Sequence, residues 1–342
     1  PGQRTAGGQQ YSRMSIRFYQ ITVVCFWLAT MSWLLVSKLM PALHRGEPPN
    51  HHAATAAQLL DNMPVIWDMR WNFHSVGWAA NHVAETPNGE LELLSRLQFT
   101  DWPKTDVAAS AWLLEQLADW GRRSEDFNLE LANRSLLDSD YSLKELSSSI
   151  FLGKRTASGM DPWMQIAGKV EGDELQLSFQ LGNRLLGKRA VPLRSHSLIS
   201  SEISPHGYMP RLRIRQRWST YQISPFRPPT SPQGAIVATV ERYDPMIWNN
   251  QLVETLLVVH RRDEGSGSRS ADEYLGRLWV RPDNGMVLKQ EIVLLGSRFT
   301  LLRRVDDRAQ SLALELQKNW DAVARSQSLE IEEGDLGREP PP

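Results

Sequence analysis

WDMRWNFHSVGWAANHV, residues 67–83, places three tryptophans close to a single glycine, Gly77. Taken in steps of two, one file of side chains is apolar: Val65, Trp67, Met69, Trp71 and Phe73. The other file is mostly polar: Ile66, Asp68, Arg70, Asn72 and His74. Successive side chains of a β-strand point to opposite faces of a sheet, so this alternation predicts a half-buried strand over 65–74. The open question is whether the apolar file packs against the protein itself or lines a cavity.

The sequence after this strand predicts an antiparallel meander. The chain turns through 75–77 into a second strand over 78–85, and Asn88-Gly89 readily adopts the positive φ angles of a tight turn. A third strand over 91–99 has an apolar face made of Leu91, Leu93, Leu97 and Phe99. Further strands are predicted over 127–133, 145–152, 163–170, 175–181, 211–218, 234–243, 252–261, 274–281, 286–295 and 298–305. Because many short strands follow one another without a βαβ alternation, the predicted fold class is mainly β: a large curved antiparallel sheet, or half-barrel, with inserted helices.

Helices and loops complete this β domain, which is predicted to span 64–305. Residues 105–123 have apolar side chains at helical spacing, including Trp112, and we expect this helix to bury them inside the curved sheet. The Pro- and Ser-rich stretches 187–210 and 224–233 are predicted as loops at its rim. A C-terminal helix over 306–326 can pack on the sheet or on a partner, and the acidic tail 327–342 is predicted to be disordered.

The N-terminal region predicts a membrane anchor. ITVVCFWLATMSWLLVS, residues 21–37, carries no charge, and with its flanks it reaches the roughly 20 residues that a helix needs to cross a bilayer. The predicted segments are a disordered, cytoplasmic N-terminus over 1–17, a transmembrane helix over 18–40 and a linker over 41–63. A cleaved signal peptide is the alternative, but the residues after 37 lack a small-x-small cleavage site. The predicted location is a single pass through a bacterial inner membrane with the bulk of the chain in the periplasm.

Composition and motifs exclude several function classes. Lys+Arg number 38 and Asp+Glu 39, so the net charge of −1 gives no reason to expect nucleic-acid binding. The one cysteine, Cys25, lies in the apolar run and is not available as a nucleophile in the exported domain. His51 and His52 stand in the linker without companions that could complete a metal site. No nucleophile elbow, P-loop or zinc motif occurs, so the sequence predicts neither an enzyme nor a cofactor.

A run of arginines forms a candidate contact surface. RLRIRQRW, residues 211–218, alternates basic and mostly apolar residues. If it is a strand, one face holds Arg211, Arg213, Arg215 and Arg217. That face suits acidic lipid headgroups or an acidic partner, and the alternative is an ordinary solvated strand face.

Two features resemble the lipoprotein carriers of the LolA/LolB type. One is the opening hairpin with its aromatic file, continued by the strand over 91–99 and a helix. The other is the hairpin LGRLWVRPDNGMVLKQEIVLLG, residues 275–296, in which Trp279 through Gln290 is similar to a segment typical of such domains. The resemblance spans residues 64–305 and implies a curved antiparallel sheet around an apolar cavity plugged by helices. The predicted anchor departs from the family, since soluble carriers are released and related receptors are held by a lipid.

Two functional hypotheses from different classes remain. The first is a membrane-anchored, periplasmic-side binding module for a lipid-like or lipoprotein ligand, serving as an accessory to an export complex. Its candidate cavity residues are Trp67, Trp71, Phe73, Leu93, Leu97, Phe99, Trp112 and Trp279. The alternative is a structural or assembly subunit of a membrane protein complex, with no ligand cavity. An exported enzyme is a third possibility for which the sequence offers no residues.

Overall fold

The structure is a computed structural model in which the chain divides into two compact units, Pro1–Gly46 and Glu47–Pro342. It describes residues 8–35, 49, 51–101, 128–153, 162–192, 199–201, 204–223, 236–262, 274–294 and 297–320.

The first unit contains one helix, α1 (Gly8–Leu34), in its described part. Side chains 20–35 are exposed, among them the large apolar residues Ile21, Phe26 and Trp33. Cys25 is a free, exposed thiol. Within the described ranges, no helix combines the length and the apolar character of a candidate membrane span. The transmembrane helix predicted over 18–40 therefore gains no support from the fold.

The second unit is mainly β, with two further helices in its described part. These are α2 (His51–Asp61) and α3 (residues 307–320). The strands in chain order are β1 (Val65–Trp71), β2 (His74–Glu85), β3 (Leu91–Phe99), β4 (Leu129–Leu137), β5 (Leu143–Leu152), β6 (Met164–Glu171), β7 (Glu174–Leu181), β8 (Arg184–Pro192), β9 (Ile199–Ser201), β10 (Arg217–Ile223), β11 (Ile236–Tyr243), β12 (Met246–Trp248), β13 (Gln251–Val253), β14 (Leu256–Arg262), β15 (Gly276–Val280), β16 (Val287–Leu294) and β17 (Ser297–Arg304).

One sheet holds fifteen of these strands, in the order β8-β7-β6-β5-β4-β3-β2-β1-β17-β16-β15-β14-β11-β10-β9. Neighbouring strands are antiparallel, except that β9 runs parallel to β10. β12 and β13 form a separate hairpin. The predicted fold class, a large curved antiparallel sheet with helices, is confirmed at this level.

Hydrogen bonds to Ser204 show that the sheet is strongly curved. Its hydroxyl lies 3.1 Å from Asn133 Nδ2 on β4, and its carbonyl oxygen accepts a hydrogen bond from Gln290 Nε2 on β16 at 3.3 Å. These two strands are five positions apart in the sheet order, or about 24 Å in a flat sheet. A single residue can reach both only if the strands curl towards each other. The face that they enclose is called the concave face below.

The aromatic file of β1 lies on this concave face, where the protein's own side chains pack against it. Trp67, Met69 and Trp71 are at most 2% exposed and belong to one apolar cluster that draws on most strands of the sheet. The Trp71 ring meets Phe299 of β17 edge-on, with ring centroids 6.2 Å apart. Trp67 Nε1 donates to Asn81 Oδ1 at 2.7 Å, so its one polar atom is satisfied.

Phe73 does not continue the apolar file, which corrects the prediction. The hairpin turn lies at Asn72–Phe73, where both φ angles are positive (44° and 76°), and Phe73 is 79% exposed. The predicted turn at 75–77 is instead an irregular part of β2. A Cβ at Gly77 would lie 1.9 Å from the Gln98 carbonyl oxygen, so the close approach of two strands explains that glycine.

The opposite face of β1 and β2 is covered by α3. Ile66 and Ala80 pack with Ala309, Ala313 and Leu316. The apolar stripe of this helix therefore faces its own sheet, as amphipathic helices usually do. The structure places the predicted C-terminal helix over 307–320, while the predicted helix over 105–123 lies outside the described residues.

Two other stretches differ from the sequence prediction. β8 occupies part of the stretch 187–210 that is predicted as a loop. Residues 211–216 form turns instead of a strand, because Arg211 and Arg215 both have positive φ angles. Only the last part of the predicted strand over 211–218 belongs to β10.

Candidate functional site

A row of small polar side chains crosses the concave face of four neighbouring strands. Asn81 on β2 pairs with Ser95 on β3, Ser95 pairs with Asn133 on β4, and Asn133 pairs with Ser148 on β5. Directly paired residues of neighbouring strands point to the same face, so these four side chains form one line across the sheet. Each interrupts a mostly apolar file, as Ser95 does between Leu93 and Leu97. The row places hydrogen-bonding groups inside an apolar interior.

Hydrogen bonds within the row satisfy much of its polarity. Asn133 Nδ2 donates to Ser95 Oγ at 3.0 Å, and Ser148 Oγ donates to Asn133 Oδ1 at 2.6 Å. Ser204 adds its hydroxyl to this group, 3.1 Å from Ser95 Oγ. Buried polar groups are costly unless they are paired, so these bonds hold the side chains in fixed positions.

Residues 204–209, the crossing segment, run over the concave face and are tied to β16 and β17. The His206 amide donates to Gln290 Oε1 at 3.1 Å, and Arg303 Nη1 donates to the Gly207 carbonyl at 3.1 Å. The Met209 amide donates to the Gly285 carbonyl at 2.7 Å in the turn between β15 and β16. These bonds fix an irregular backbone inside the sheet and satisfy its polar groups.

Helix α2 covers one end of the concave face. Thr55 and Gln58 are its buried polar side chains, whereas Leu60 is 85% exposed. A Cβ on Gly207 would lie 3.0 Å from Gln58 Oε1, so the helix and the crossing segment pass close to each other. The rest of the helix is rich in alanine, which provides little apolar area for packing.

Arg303 joins α2 to the crossing segment. Its Nη2 lies 3.4 Å from Asp61 Oδ2 and 3.2 Å from the Tyr208 hydroxyl, and its guanidinium lies 5.0 Å from the centroid of the Tyr208 ring. The Tyr208 hydroxyl also donates to the Asp61 carboxylate. Burial, followed by the bond to Asp61, raises the pKa of Tyr208, so the phenol keeps its proton. The Arg303 side chain is 7% exposed, and these groups compensate its charge.

A cavity of about 190 Å³ lies between α2, strands β2 to β6, the crossing segment and Trp218 of β10. Its apolar lining includes Val83, Leu93, Leu146, Ile166, Met209 and Trp218. Its polar lining includes Thr55, Gln58, Asn81, Ser95, Asn133, Ser135, Ser148, Ser204 and His206. Pockets for whole drug-sized ligands are typically about 300–1,000 Å³, so this cavity fits part of a ligand. Both surface types favour a molecule with a polar and an apolar part.

A second depression, of about 310 Å³, lies on the opposite face of the sheet. It is lined by Arg134, Glu145, Lys169, Gln176 and Ser178, among other residues of β4 to β7. These residues alternate with the concave-face residues along their strands. A molecule there would rest on one outer sheet face and lose less contact with water than in the cavity under α2. We therefore take the cavity under α2 as the candidate site.

Of the predicted cavity residues that the structure describes, one lines the cavity and the others lie elsewhere. Leu93 lines the cavity. Trp67, Trp71, Leu97 and Phe99 lie in the apolar core on the concave face, packed by neighbouring side chains. Trp112 lies outside the described residues, and Phe73 lies in the exposed turn described above.

Trp279, which the sequence pattern predicts as a cavity residue, also lies elsewhere. It belongs to a small cluster with Leu257 and Val259, apart from the main core. On the neighbouring strands it pairs with Leu257 and Lys289, whereas the concave-face residue Leu278 pairs with Gln290. Trp279 therefore lies on the outer face, where its Nε1 donates to Asp244 Oδ2 at 2.8 Å.

The four arginines do not share one strand face. Arg211 and Arg215 lie at positive-φ positions (61° and 69°), Arg213 is exposed between them, and Arg217 begins β10. The Gln216 amide donates to the Arg213 carbonyl at 3.0 Å, which closes a turn. The alternation of RLRIRQRW therefore does not reflect a pleated strand, and the predicted basic face is absent from these positions.

His260 is a buried titratable group on the concave face of β14. It is 7% exposed, and burial, with a smaller contribution from the charge of His206, lowers its pKa to about 3. In the described part of the chain, its Nε2 has no hydrogen-bond partner. Nor do the described His, Cys, Asp and Glu side chains assemble a group of three that could hold a metal ion.

Comparison with known proteins adds no functional assignment. No protein-family model matches this chain, and no curated protein matches it significantly. Among solved structures, it is similar to a β-barrel-like protein of the domain of unknown function DUF1849 from Brucella abortus, with a TM-score of 0.38 and 8% identity over 71% of this chain and 95% of that chain. It is also similar to a DUF1089 family protein from Pseudomonas aeruginosa, with a TM-score of 0.31 and 16% identity over 63% of this chain and 88% of that chain. Neither comparison identifies a LolA/LolB-type carrier.

Proposed function

We propose that this protein is a binding protein that holds part of a lipid-like ligand in the cavity beneath α2. The observation that carries the proposal is the cavity of about 190 Å³ that the described side chains leave open on the concave face. Protein interiors are normally close-packed, so an open cavity of this size with apolar walls offers room for an occupant. We assign no catalytic role and no cofactor to the site.

The two kinds of lining would act on different parts of the ligand. Leu146, Ile166 and Trp218 offer apolar surface, and burial of apolar area is worth about 25 cal/mol per Å². The Asn81–Ser148 row offers hydrogen bonds that fix orientation. A ligand with an apolar chain and a polar end would satisfy both surfaces, and its remaining length would extend beyond the cavity.

The test is the lipid content of the purified full chain, measured by extraction and mass spectrometry. Leu93→Trp adds bulk at the cavity wall, whereas Leu185→Trp makes the same exchange at a half-exposed position of β8. We expect a lipid to co-purify with the wild type and with Leu185→Trp, and at least about tenfold less with Leu93→Trp. A thermal melt of each variant checks that it is folded. Absence of lipid from the wild type, or its retention by folded Leu93→Trp, would contradict the proposal.

The alternative function, a structural or assembly subunit, is favoured by one observation. Trp67, Met69 and Trp71 are packed by the protein's own core and leave no room for a guest along the aromatic file. In that case the cavity holds only water, whose hydrogen bonds would go to the polar row. The same lipid measurement separates the two functions, because an assembly subunit would carry no lipid in its interior.

We also propose that α1 attaches the protein to a bacterial inner membrane, with the second unit on the periplasmic side. Support comes from the charge-free sequence over 21–37 and from the exposure of its described apolar side chains, such as Phe26 and Trp33. A protein that takes up a lipid-like molecule beside a membrane would meet its ligand there, and an export complex is the kind of partner that such an accessory would serve.

A further inference from the structure

We infer that the polar end of the ligand is uncharged and carries hydroxyl groups, as the glycerol end of a monoacylglycerol does. This inference rests on the proposed function and narrows it to a chemical class. Among the described residues that line the cavity, none is Asp, Glu, Lys or Arg. The polar lining consists of hydroxyl, amide and imidazole groups together with backbone atoms.

A charged head group would lack a counter-charge in this cavity. Removal of a carboxylate or phosphate from water is expensive unless a cation or several strong donors replace the water. Arg303 is a buried cation on the same concave face, but it is not part of the cavity lining. Its guanidinium is already bound to Asp61, Tyr208 and the Gly207 carbonyl. The cavity therefore disfavours fatty acids and phospholipid head groups.

The two histidines of the lining do not alter this conclusion. The His82 ring stacks on Trp320 of α3, with an interplanar angle of 2°, on the outer side of the sheet. His206 lies in the crossing segment, where its amide is bound to Gln290. Binding is measured at about pH 8, well above the ordinary histidine pKa of about 6.5.

Hydroxyl groups match the chemistry of the polar row. A serine hydroxyl both donates and accepts hydrogen bonds, and an asparagine amide offers two donors and one acceptor oxygen. Ser135 follows Asn133 on the same face of β4, pairs with Leu93, and extends this lining along the strand. A ligand hydroxyl can also donate and accept, whereas a carboxylate can only accept. The row therefore suits neighbouring hydroxyls better than an acceptor-only group.

The experiment compares three ligands of equal chain length by titration calorimetry on the full chain: monooctanoylglycerol, octanoate and octyl phosphate. We expect the dissociation constant for monooctanoylglycerol to be at least about tenfold lower than for the other two. Ser135→Lys places a cation in the cavity and should raise the affinity for octanoate and octyl phosphate by about tenfold while it weakens glyceride binding. Ser142→Lys is the matched control, because Ser142 is exposed in the turn before β5. This variant should bind the three ligands in the same order of affinity as the wild type.

Each outcome decides the inference. If the wild type binds octanoate or octyl phosphate as tightly as the glyceride, the inference is overturned and the proposed function stands. If none of the three binds, the proposed function fails as well. If Ser135→Lys does not fold, the order of the three affinities in the wild type decides the inference. A folded Ser135→Lys that leaves the order unchanged would place the polar end elsewhere and contradict the inference.

Discussion

The fold strongly affects the protonation of the His260 side chain. The imidazole is buried on the concave face of β14, and burial lowers its pKa to about 3. The charged form is unfavourable there because burial removes its water, and the charge of His206 adds a smaller repulsion. His260 is therefore neutral in the folded protein over the physiological pH range.

This low pKa predicts a loss of stability in mild acid. Below the ordinary pKa of about 6.5, the unfolded chain binds a proton that the folded chain rejects until the pH approaches about 3. In that window the group lowers the free energy of unfolding by about 1.4 kcal/mol per pH unit as the pH falls. His260→Gln removes this titratable group. Between about pH 7 and about pH 5, its free energy of unfolding should therefore fall by about 2 kcal/mol less than that of the wild type.

Urea unfolding at the two pH values measures this difference. His74→Gln serves as the control, because His74 is exposed next to the β1–β2 turn, and it should show the wild-type loss. An equal loss in wild type and His260→Gln would show that the buried imidazole does not control acid stability.

At the scale of elements, alternation in the sequence predicts most strands of the sheet. β1 to β7 and β14 to β17 each have an apolar file on the concave face, so the two-residue period identifies them. β8 escapes this rule because RLLGKRAVP lies at the edge of the sheet and is mostly exposed. An edge strand has less need of an apolar face, and its lysine and arginines help to prevent pairing with other chains.

Positive φ angles explain the errors at the ends of strands. Neither Asn72–Phe73 nor Arg211 and Arg215 carry the glycine that usually marks a left-handed backbone position. The alternation of polar and apolar residues continues through both stretches, although the chain turns there. The pattern therefore assigns Phe73 and the arginines to faces of strands that end before them or begin after them.

Helix α1 carries the proposed membrane attachment, and substitutions in this helix test the attachment independently of ligand binding. Val24 and Leu28 are exposed, four residues apart on the same side of the helix. A lysine near the centre of a membrane helix costs about 2.5–3.5 kcal/mol. We expect the wild type to remain in the membrane fraction after alkaline carbonate extraction, and Val24→Lys with Leu28→Lys to be released in large part.

The control places the same charges on exposed leucines of the other unit, Leu60→Lys with Leu185→Lys, and should stay with the membrane. Complete release of the wild type by carbonate would contradict the proposed attachment.

At the scale of the whole second unit, the sequence predicts a curved sheet, but of the predicted cavity residues only Leu93 lines the observed cavity. The polar row depends on the register of four strands, since Asn81, Ser95, Asn133 and Ser148 become neighbours only when β2 to β5 pair. Each residue taken alone is merely a polar interruption in an apolar file. The recurrence of one such interruption in four successive strands is the signal that could have revealed the row.

The positions of the crossing segment and α2 against the sheet also escape prediction, for a related reason. Both are held by bonds between residues far apart in the chain, such as Asp61 with Arg303 and Gly207 with Arg303. Local pattern does not report which loop enters the curved sheet. The aromatic file of β1 therefore indicates the packed part of the interior, whereas the cavity lies over β2 to β6.

The central claim is that the cavity beneath α2 binds part of a lipid-like ligand, and photo-crosslinking tests it most directly. The full chain is irradiated with a monoacylglycerol that carries a diazirine on its acyl chain, and the modified residues are mapped by mass spectrometry of its peptides. We predict modification of the apolar cavity lining, at Leu93, Leu146, Ile166, Met209 or Trp218, and loss of this signal in Leu93→Trp. Modification confined to exposed sites, such as Leu185 and Leu186 on β8, or none at all, would contradict the claim.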